Sequence, residues 1–246
     1  MRNPLKSQKV TRTKERINLD KVALIGRTFE EYEKIFRLSD FKSNNVKILD
    51  VGSGVSSFCA EASKKGMDVI VMDPIYDYNA SSLEVKCSKD LELIIKELNG
   101  VEHLYIWDIF RSKDDLKKQR EKAYKVFIKH YRENKSKLYI SEKMPKTTFK
   151  SNQFDIIISS HLLFLYDHIF DYSFHKETIN EMLRICSKEI RIFPLVNLYG
   201  RRSTFVQDFL NDPDFEDYKK SIERVDYEFI RGGNEFIKIM KIIDKL

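Results

Sequence analysis

The chain has 246 residues, 42% of them hydrophobic and 33% charged. These are the proportions of a folded chain with one sizeable core, and they exclude a disordered one. Its three cysteines, Cys59, Cys87 and Cys186, lie far apart and match neither a CxxC pair nor a His/Cys ligand spacing, which excludes a disulfide framework or a zinc ribbon. The net charge is +6, and no run approaches eighteen apolar residues, so no membrane span is expected.

Residues 1–20 lack the apolar core of a signal peptide and read as a flexible start to a cytoplasmic protein with free thiols. Residues 21–43 read as a helical cap, because Phe29, Tyr32, Ile35 and Phe36 fall on one helical stripe of RTFEEYEKIFRL. VKILDV (46–51) predicts a buried strand, and SSFCAEASKKG (56–66) a helix closed by Gly66. DVIVMD (68–73) predicts a second strand stopped by Pro74, and SKDLELIIKELNG (88–100) a further helix.

Between Arg111 and Lys137 eleven Lys or Arg face four Asp or Glu, a local +7 that leaves the rest of the chain near −1. Leu116, Ala123, Phe127 and Tyr131 recur there at helical spacing, so 88–137 reads as a helical insertion ending in a helix with a basic outer face. That face is either a solvated surface or a footprint for an anionic partner, nucleic acid or phosphorylated metabolite. KLYIS (137–141) and FDIIISS (154–160) predict the third and fourth strands. KETINEMLRICS (176–187) predicts a helix and EIRIFPL (189–195) a fifth strand. RVDYEFI (224–230) and NEFIKIMKI (234–242), joined by Arg231-Gly232-Gly233, read as a closing hairpin. Alternating strands and helices ending in a hairpin imply an α/β fold. The expected sheet is doubly wound, mostly parallel and seven-stranded, with one antiparallel strand near its edge.

In such a sheet ligands bind at the carboxyl ends of the strands. The first strand ends at Asp50, followed by Gly52-Ser53-Gly54, and the second ends at Asp73. Glycines let backbone amides approach a ligand closely, and an acid at the second strand end suits a ribose diol. The pattern serves both NAD and S-adenosylmethionine. The third glycine of a dinucleotide fingerprint is Ser57 here, and Asp50 would repel a pyrophosphate while suiting a cationic ammonium or sulfonium. The residues therefore favour S-adenosylmethionine.

The stretch DVGSG, Asp73 and the closing hairpin resemble the class I S-adenosylmethionine-dependent methyltransferases, whose Rossmann-like fold matches the one expected. GRTFEEYEKIFRLSD, ILDVGSGVSSFCAEA, MDPIY, FDIIISSHLLFLY, EIRIFPL and YEFIRGGNEF resemble a narrower group of uncharacterised bacterial members. The likeness runs from about Gly26 to Ile242. It implies Gly52, Ser53 and Gly54 under the methionine moiety with Asp50 nearby, Asp73 on the ribose, and Pro74 and Ile75 beside the adenine. It also places Ser141 and Glu142 near the adenine amino group, although Glu142-Lys143 departs from the family's Asp-x-x-x-Pro-Phe pattern. Ser56 stands at the family's frequent third glycine and would serve as a helix cap.

Methyl transfer is an in-line displacement governed by positioning, and a base is needed only if the nucleophile must lose a proton. SSHLLFLY (159–166) follows the fourth strand, where cofactor and acceptor meet in this fold. Ser160 belongs to the cofactor side. His161 is the candidate base or acceptor orienter, or alternatively a histidine satisfied by backbone groups. Tyr166 and Phe164 are candidates to wall the methyl site, with packing the alternative for Phe164. Tyr32 is either a cover over the methionine carboxylate or a core residue. No Asn-Pro-Pro-Tyr run follows the fourth strand, which argues against methylation of a base amine. The cysteines fall away from the crevice, and His103, His168 and His175 lack partners at metal-ligand spacing. The expected function is methylation of a small molecule. The alternatives are an RNA methyltransferase using the basic helix and a non-catalytic protein that binds S-adenosylmethionine.

Overall fold

The computed structural model describes residues 14–41 and 46–241. Among the described residues seven strands form one sheet in the order β3 (Tyr139–Ile140), β2 (Asp68–Met72), β1 (Lys47–Val51), β4 (Phe154–Ser160), β5 (Cys186–Phe193), β7 (Glu235–Lys241), β6 (Tyr218–Arg224), with every neighbouring pair parallel except those made by β7. Strand β7 alone is reversed. The expected doubly wound sheet is therefore present.

Each element follows from a local signal. Helix α1 (Phe29–Phe36) starts at Thr28, whose hydroxyl accepts from Glu31 N while the Glu31 carboxylate accepts from Thr28 N, a reciprocal capping box. It ends at Arg37 in the left-handed region, φ 47°. Strand β1 (Lys47–Val51) sits between β2 (Asp68–Met72) and β4 (Phe154–Ser160), and its buried Ile48, Leu49 and Val51 join the cores on both faces. Helix α2 (Phe58–Lys64) connects β1 to β2. Helix α3 (Ala80–Glu97) begins eight residues before the expected start, because the Asn79 side chain caps it by accepting from Ser82 N.

Helix α4 (Lys113–Leu138) is capped by Ser112 and feeds directly into β3 (Tyr139–Ile140), which is two residues long where five were expected. The helix is not basic throughout. Arg120 is buried and paired in two places with Glu31, at 2.5 and 2.7 Å, and Tyr227 donates to the same carboxylate at 2.8 Å. Helix α5 (Tyr172–Ile185), started by Asp171, takes in residues ahead of the expected range. Cys186 then opens β5 (Cys186–Phe193) instead of closing the helix.

The closing hairpin differs from expectation. Its strands are β6 (Tyr218–Arg224) and β7 (Glu235–Lys241), with Arg224 opposite Glu235, and residues 225–234 connect them. The apolar run YEFI instead turns into the core: Tyr227, Phe229 and Ile230 are buried, and Ile230 bridges to Tyr105. Strand β6 reads YKKSIER, a charged sequence suited to the exposed sheet edge it occupies. The short helix α6 (Thr204–Asn211) was not expected.

Residues 1–13 of the expected flexible start lie outside the described residues. Over 14–20 the chain is packed, with Ile17 and Leu19 buried and Lys14 bonded to Glu97 at 2.6 Å. Among the described residues no helix is long and apolar enough to cross a membrane, and no cluster of His, Cys, Asp or Glu is placed to hold a metal. The three cysteines are free and buried.

Candidate functional site

The loop after β1 turns through Gly52 (φ 69°) and Gly54 (φ 57°), a conformation that side chains other than glycine rarely adopt. Space is tight as well, since a Cβ on Gly52 would lie 2.5 Å from Leu162 Cδ2. Asp73, after β2, fastens this loop: its Oδ2 accepts from Gly54 N and its Oδ1 from Ile75 N, both at 3.0 Å. Tyr76 adds a bond from its hydroxyl to Gly54 O at 2.8 Å. Burial raises the Asp73 carboxyl to about 6, against the two amide bonds that lower it.

A cavity of about 380 Å³ opens above these strand ends, within the range of small-molecule and cofactor sites. Gly52, Ser53 and Gly54 form its floor, with Asp73, Pro74 and Ile75 at one end. Ser160, His161 and Leu162 stand at the other end, beyond β4. Val22–Ile25, Arg27 and Tyr32 line it from the N-terminal segment, and Lys143, Met144, Phe170 and Phe174 complete the lining. Six separate segments thus converge on one space. The lining is mostly apolar with a few polar groups, the composition of a ligand site.

Asp50 does not line the cavity. It is fully buried beneath the loop, where Tyr32 donates to Oδ2 at 2.9 Å and Oδ1 has no partner among the described residues. Burial raises its carboxyl to about 7. Ser141 also stays outside: its hydroxyl donates to Pro74 O at 3.4 Å, and it faces a shallow outer groove. Glu142 lines the cavity, but its two oxygens are taken by the amide and hydroxyl of Thr148. Ser57, and not Ser56, holds the cap position of α2, with no hydrogen bond from its side chain to the helix. Ser56 Oγ accepts from Phe58 N at 3.4 Å.

His161 is buried, with φ 55°, and its amide donates to Phe193 O at 2.6 Å. Its Nδ1 lies 2.8 Å from Ser160 Oγ. Burial drives its pKa well below 6.5, and the nearby Arg27 and Arg120 push the same way, so the imidazole is neutral at pH 7. Phe164 packs against His175, with ring centroids 5.3 Å apart, and is a core residue. Tyr166 lies outside the main cavity. It lines a smaller chamber of about 80 Å³ behind it, and its hydroxyl accepts from Ala23 N at 3.2 Å. Arg27 and His161 border both spaces.

Arg27 and the covering segment 22–25 were missed in the sequence. Their signal was Gly26, two residues before the capping-box residue Thr28. A Cβ on Gly26 would lie 2.3 Å from Val55 O, so only glycine allows this segment to lie directly on the glycine loop.

No protein-family model matches the chain. It is 46% identical over 226 residues to the uncharacterized protein MJ0045 of Methanocaldococcus jannaschii, covering 92% of this chain and 99% of that one. The chain belongs to the family of that protein. Among solved structures it is similar to magnesium protoporphyrin IX methyltransferase of Synechocystis PCC 6803 with bound S-adenosylmethionine. That likeness has 9% identity and a TM-score of 0.47, over 86% of this chain and 78% of the other. A S-adenosylmethionine-dependent methyltransferase of Aquifex aeolicus is 11% identical with a TM-score of 0.43, over 87% and 93% of the two chains.

Proposed function

We propose that the protein is a methyltransferase that uses S-adenosylmethionine to methylate a small molecule. The observation that carries this reading is the joint placement of the Gly52–Gly54 loop and Asp73 in one cavity at the carboxyl ends of β1 and β2. Asp73 keeps lone pairs for a ribose diol after its two amide bonds. Pro74 and Ile75 offer an apolar border to an adenine. A buried carboxyl oxygen without a partner lies under the loop at Asp50, where a ligand cation above it would favour the ionised form.

When bound, the cofactor supplies an electrophilic methyl group. The protein's own residues hold the reactants in line and exclude water, which the covering segment 22–27 does over the loop. His161 is placed to orient the acceptor or to take its proton, and neutrality at pH 7 leaves it able to accept one.

A small acceptor is favoured because the cavity lining is mostly apolar and, although Arg27 and Lys143 line it, none of the exposed lysines of α4 does. An RNA acceptor is the second reading, motivated by a shallow surface hollow edged by Lys118, Lys122, Lys125 and Lys129. Calorimetry with S-adenosylmethionine, S-adenosylhomocysteine and NAD tests the cofactor: the first two should bind and NAD should not. Labelled methyl transfer into cell extract, split into small-molecule, RNA and protein pools, tests the acceptor. Label in the RNA pool, with activity falling steeply as salt rises, would replace the small-molecule reading.

A further inference from the structure

The small chamber behind the main cavity is walled by side chains from seven stretches of chain, yet the polar groups among them have one character. Its aliphatic walls include Leu19, Leu91, Ile94, Leu116, Leu198 and Ile230, and among the described residues no Asp or Glu borders it. Arg120 is already matched by Glu31. Arg27 is not matched. One of its terminal nitrogens donates to Ile25 O at 3.2 Å, its buried Nε has no partner, and no carboxylate pairs with it among the described residues. The Glu31 carboxylate, which acts on Arg27 electrostatically, is spent on Arg120, Tyr227 and the Thr28 amide. Arg27 is half-buried. A cation partly withdrawn from water without a partner carries a cost that an anion placed against it offsets. Two further polar groups face no protein partner among the described residues. These are the hydroxyl of Tyr105, which lines the chamber, and Nε2 of His161, whose Nδ1 is engaged by Ser160.

We propose that this chamber is the acceptor pocket and that it selects a small, largely hydrocarbon molecule bearing one anionic oxygen group, held by Arg27 with Tyr105. The proposal rests on the methyltransferase reading only for the word acceptor; the anion site stands on the geometry alone. Arg27 borders both spaces, so an oxygen held there lies beside His161 and at the junction with the cofactor cavity. Charge and shape act together. The unmatched guanidinium favours an anion, and the aliphatic walls disfavour a polyanion such as a nucleic acid backbone.

The test titrates the full chain, with and without saturating S-adenosylhomocysteine, with propionate, butyrate, hexanoate and benzoate and with the matching amides. Calorimetry and melting temperature are the readouts. The carboxylates are expected to bind at least about tenfold tighter than the amides. That preference should fall to within about twofold in Arg27→Gln and return in part in Arg27→Lys. Equal binding of acids and amides, or no binding of either, overturns the proposal. So does an Arg27→Gln protein that keeps the carboxylate preference but loses S-adenosylhomocysteine more than about tenfold, because Arg27 would then serve the cofactor carboxylate. Carboxylate binding by a wild-type protein that fails to bind S-adenosylhomocysteine would sink the methyltransferase reading and leave the anion site intact.

Discussion

The phenol of Tyr32 donates to Asp50 Oδ2 at 2.9 Å, which ties helix α1 to the carboxyl end of strand β1 through a fully buried pair. Tyr32 also stacks on Phe58 of α2, ring centroids 4.4 Å apart, so one aromatic ring joins the cap, the first strand and the first crossover helix. The site loop is therefore held from beneath by a carboxyl and from above by the segment that carries that ring. Burial raises the Asp50 carboxyl to about 7, against the hydrogen bond from Tyr32 that lowers it, with the charge of Asp73 adding to the rise.

That raised value fixes the sign of a pH effect. In the unfolded chain Asp50 ionises near its ordinary 3.8, and in the folded chain near 7. Between those values the native state retains a proton that the unfolded state has released. The contribution is therefore complete below about pH 4 and is lost as pH rises to about 7. Asp50→Asn carries no such proton. Its melting temperature relative to wild type should climb from pH 4 to pH 7 and level off above. Parallel curves for the two proteins across that range would show that the carboxyl is not raised. A cationic ligand above the loop favours the ionised form, so affinity for S-adenosylmethionine in the wild type should also rise with pH through 7.

Asp73 is the residue on which the cofactor reading depends most. Its carboxylate organises Gly54 and Ile75 and has lone pairs left for a ribose diol. Asp73→Ala should remove two hydrogen bonds to neutral hydroxyls, each contributing about 0.5–1.5 kcal/mol. Affinity for S-adenosylmethionine then falls about five- to hundred-fold. Asp73→Asn keeps one oxygen acceptor and should fall between the two. Unchanged calorimetric affinity in a folded Asp73→Ala protein would remove Asp73 from the cofactor site.

The buried pair Glu31–Arg120 predicts a stability effect within a helix that otherwise looks like a solvated basic surface. Burial alone would raise the Glu31 carboxyl, but the charge and hydrogen bonds of Arg120 hold it down at about 2. Arg120→Met strands that carboxylate and should cost about 3–5 kcal/mol. Lys118→Met on the exposed face should stay within about 0.5 kcal/mol. Denaturant melts at pH 7 measure both. Since the Glu31 value is depressed, its stabilising contribution is present above about pH 4.5 and is lost as pH falls towards 2. Equal small losses in the two variants would mean that Arg120 is not engaged.

The contrast between Arg120 and its neighbours also shows where reading the sequence stops. The order of the parallel core was legible because β1, β2 and β4 are apolar runs bounded by turn residues, and FDIIISS matched its strand residue for residue. The second hairpin strand, NEFIKIMKI, coincides with β7, but the first lies elsewhere because hydrophobicity alone does not mark a strand. The edge strand YKKSIER is charged, and YEFI is apolar because it enters the core as a loop. At the site, Gly52, Gly54 and Asp73 follow from local pattern. Arg27 does not, because its significance lies in lacking a partner, a property set by every element around it. For the same reason sequence could not separate Ser141, which turns outward, from Glu142, which lines the cavity but is held by Thr148.

His161 separates a catalytic role from a packing role. Its backbone is left-handed, φ 55°, a conformation that Asn accepts more readily than Ala. His161→Asn is therefore the informative variant. If His161 takes a proton from the acceptor or orients it, turnover should fall about 10²–10⁴-fold while S-adenosylhomocysteine affinity stays within about twofold. Because burial drives the imidazole pKa well below 6.5, the pH–rate profile of the wild type should show no limb at pH 6 to 7 from this group. Any limb it contributes belongs at lower pH and should disappear in the variant. If His161 instead fills space between Phe193 and Tyr227, with ring centroids 5.1 and 6.5 Å away, His161→Asn should melt earlier and keep its turnover per folded molecule. Wild-type turnover in a folded His161→Asn enzyme would remove this residue from the chemistry and leave positioning of the methyl and acceptor to the walls of the two cavities.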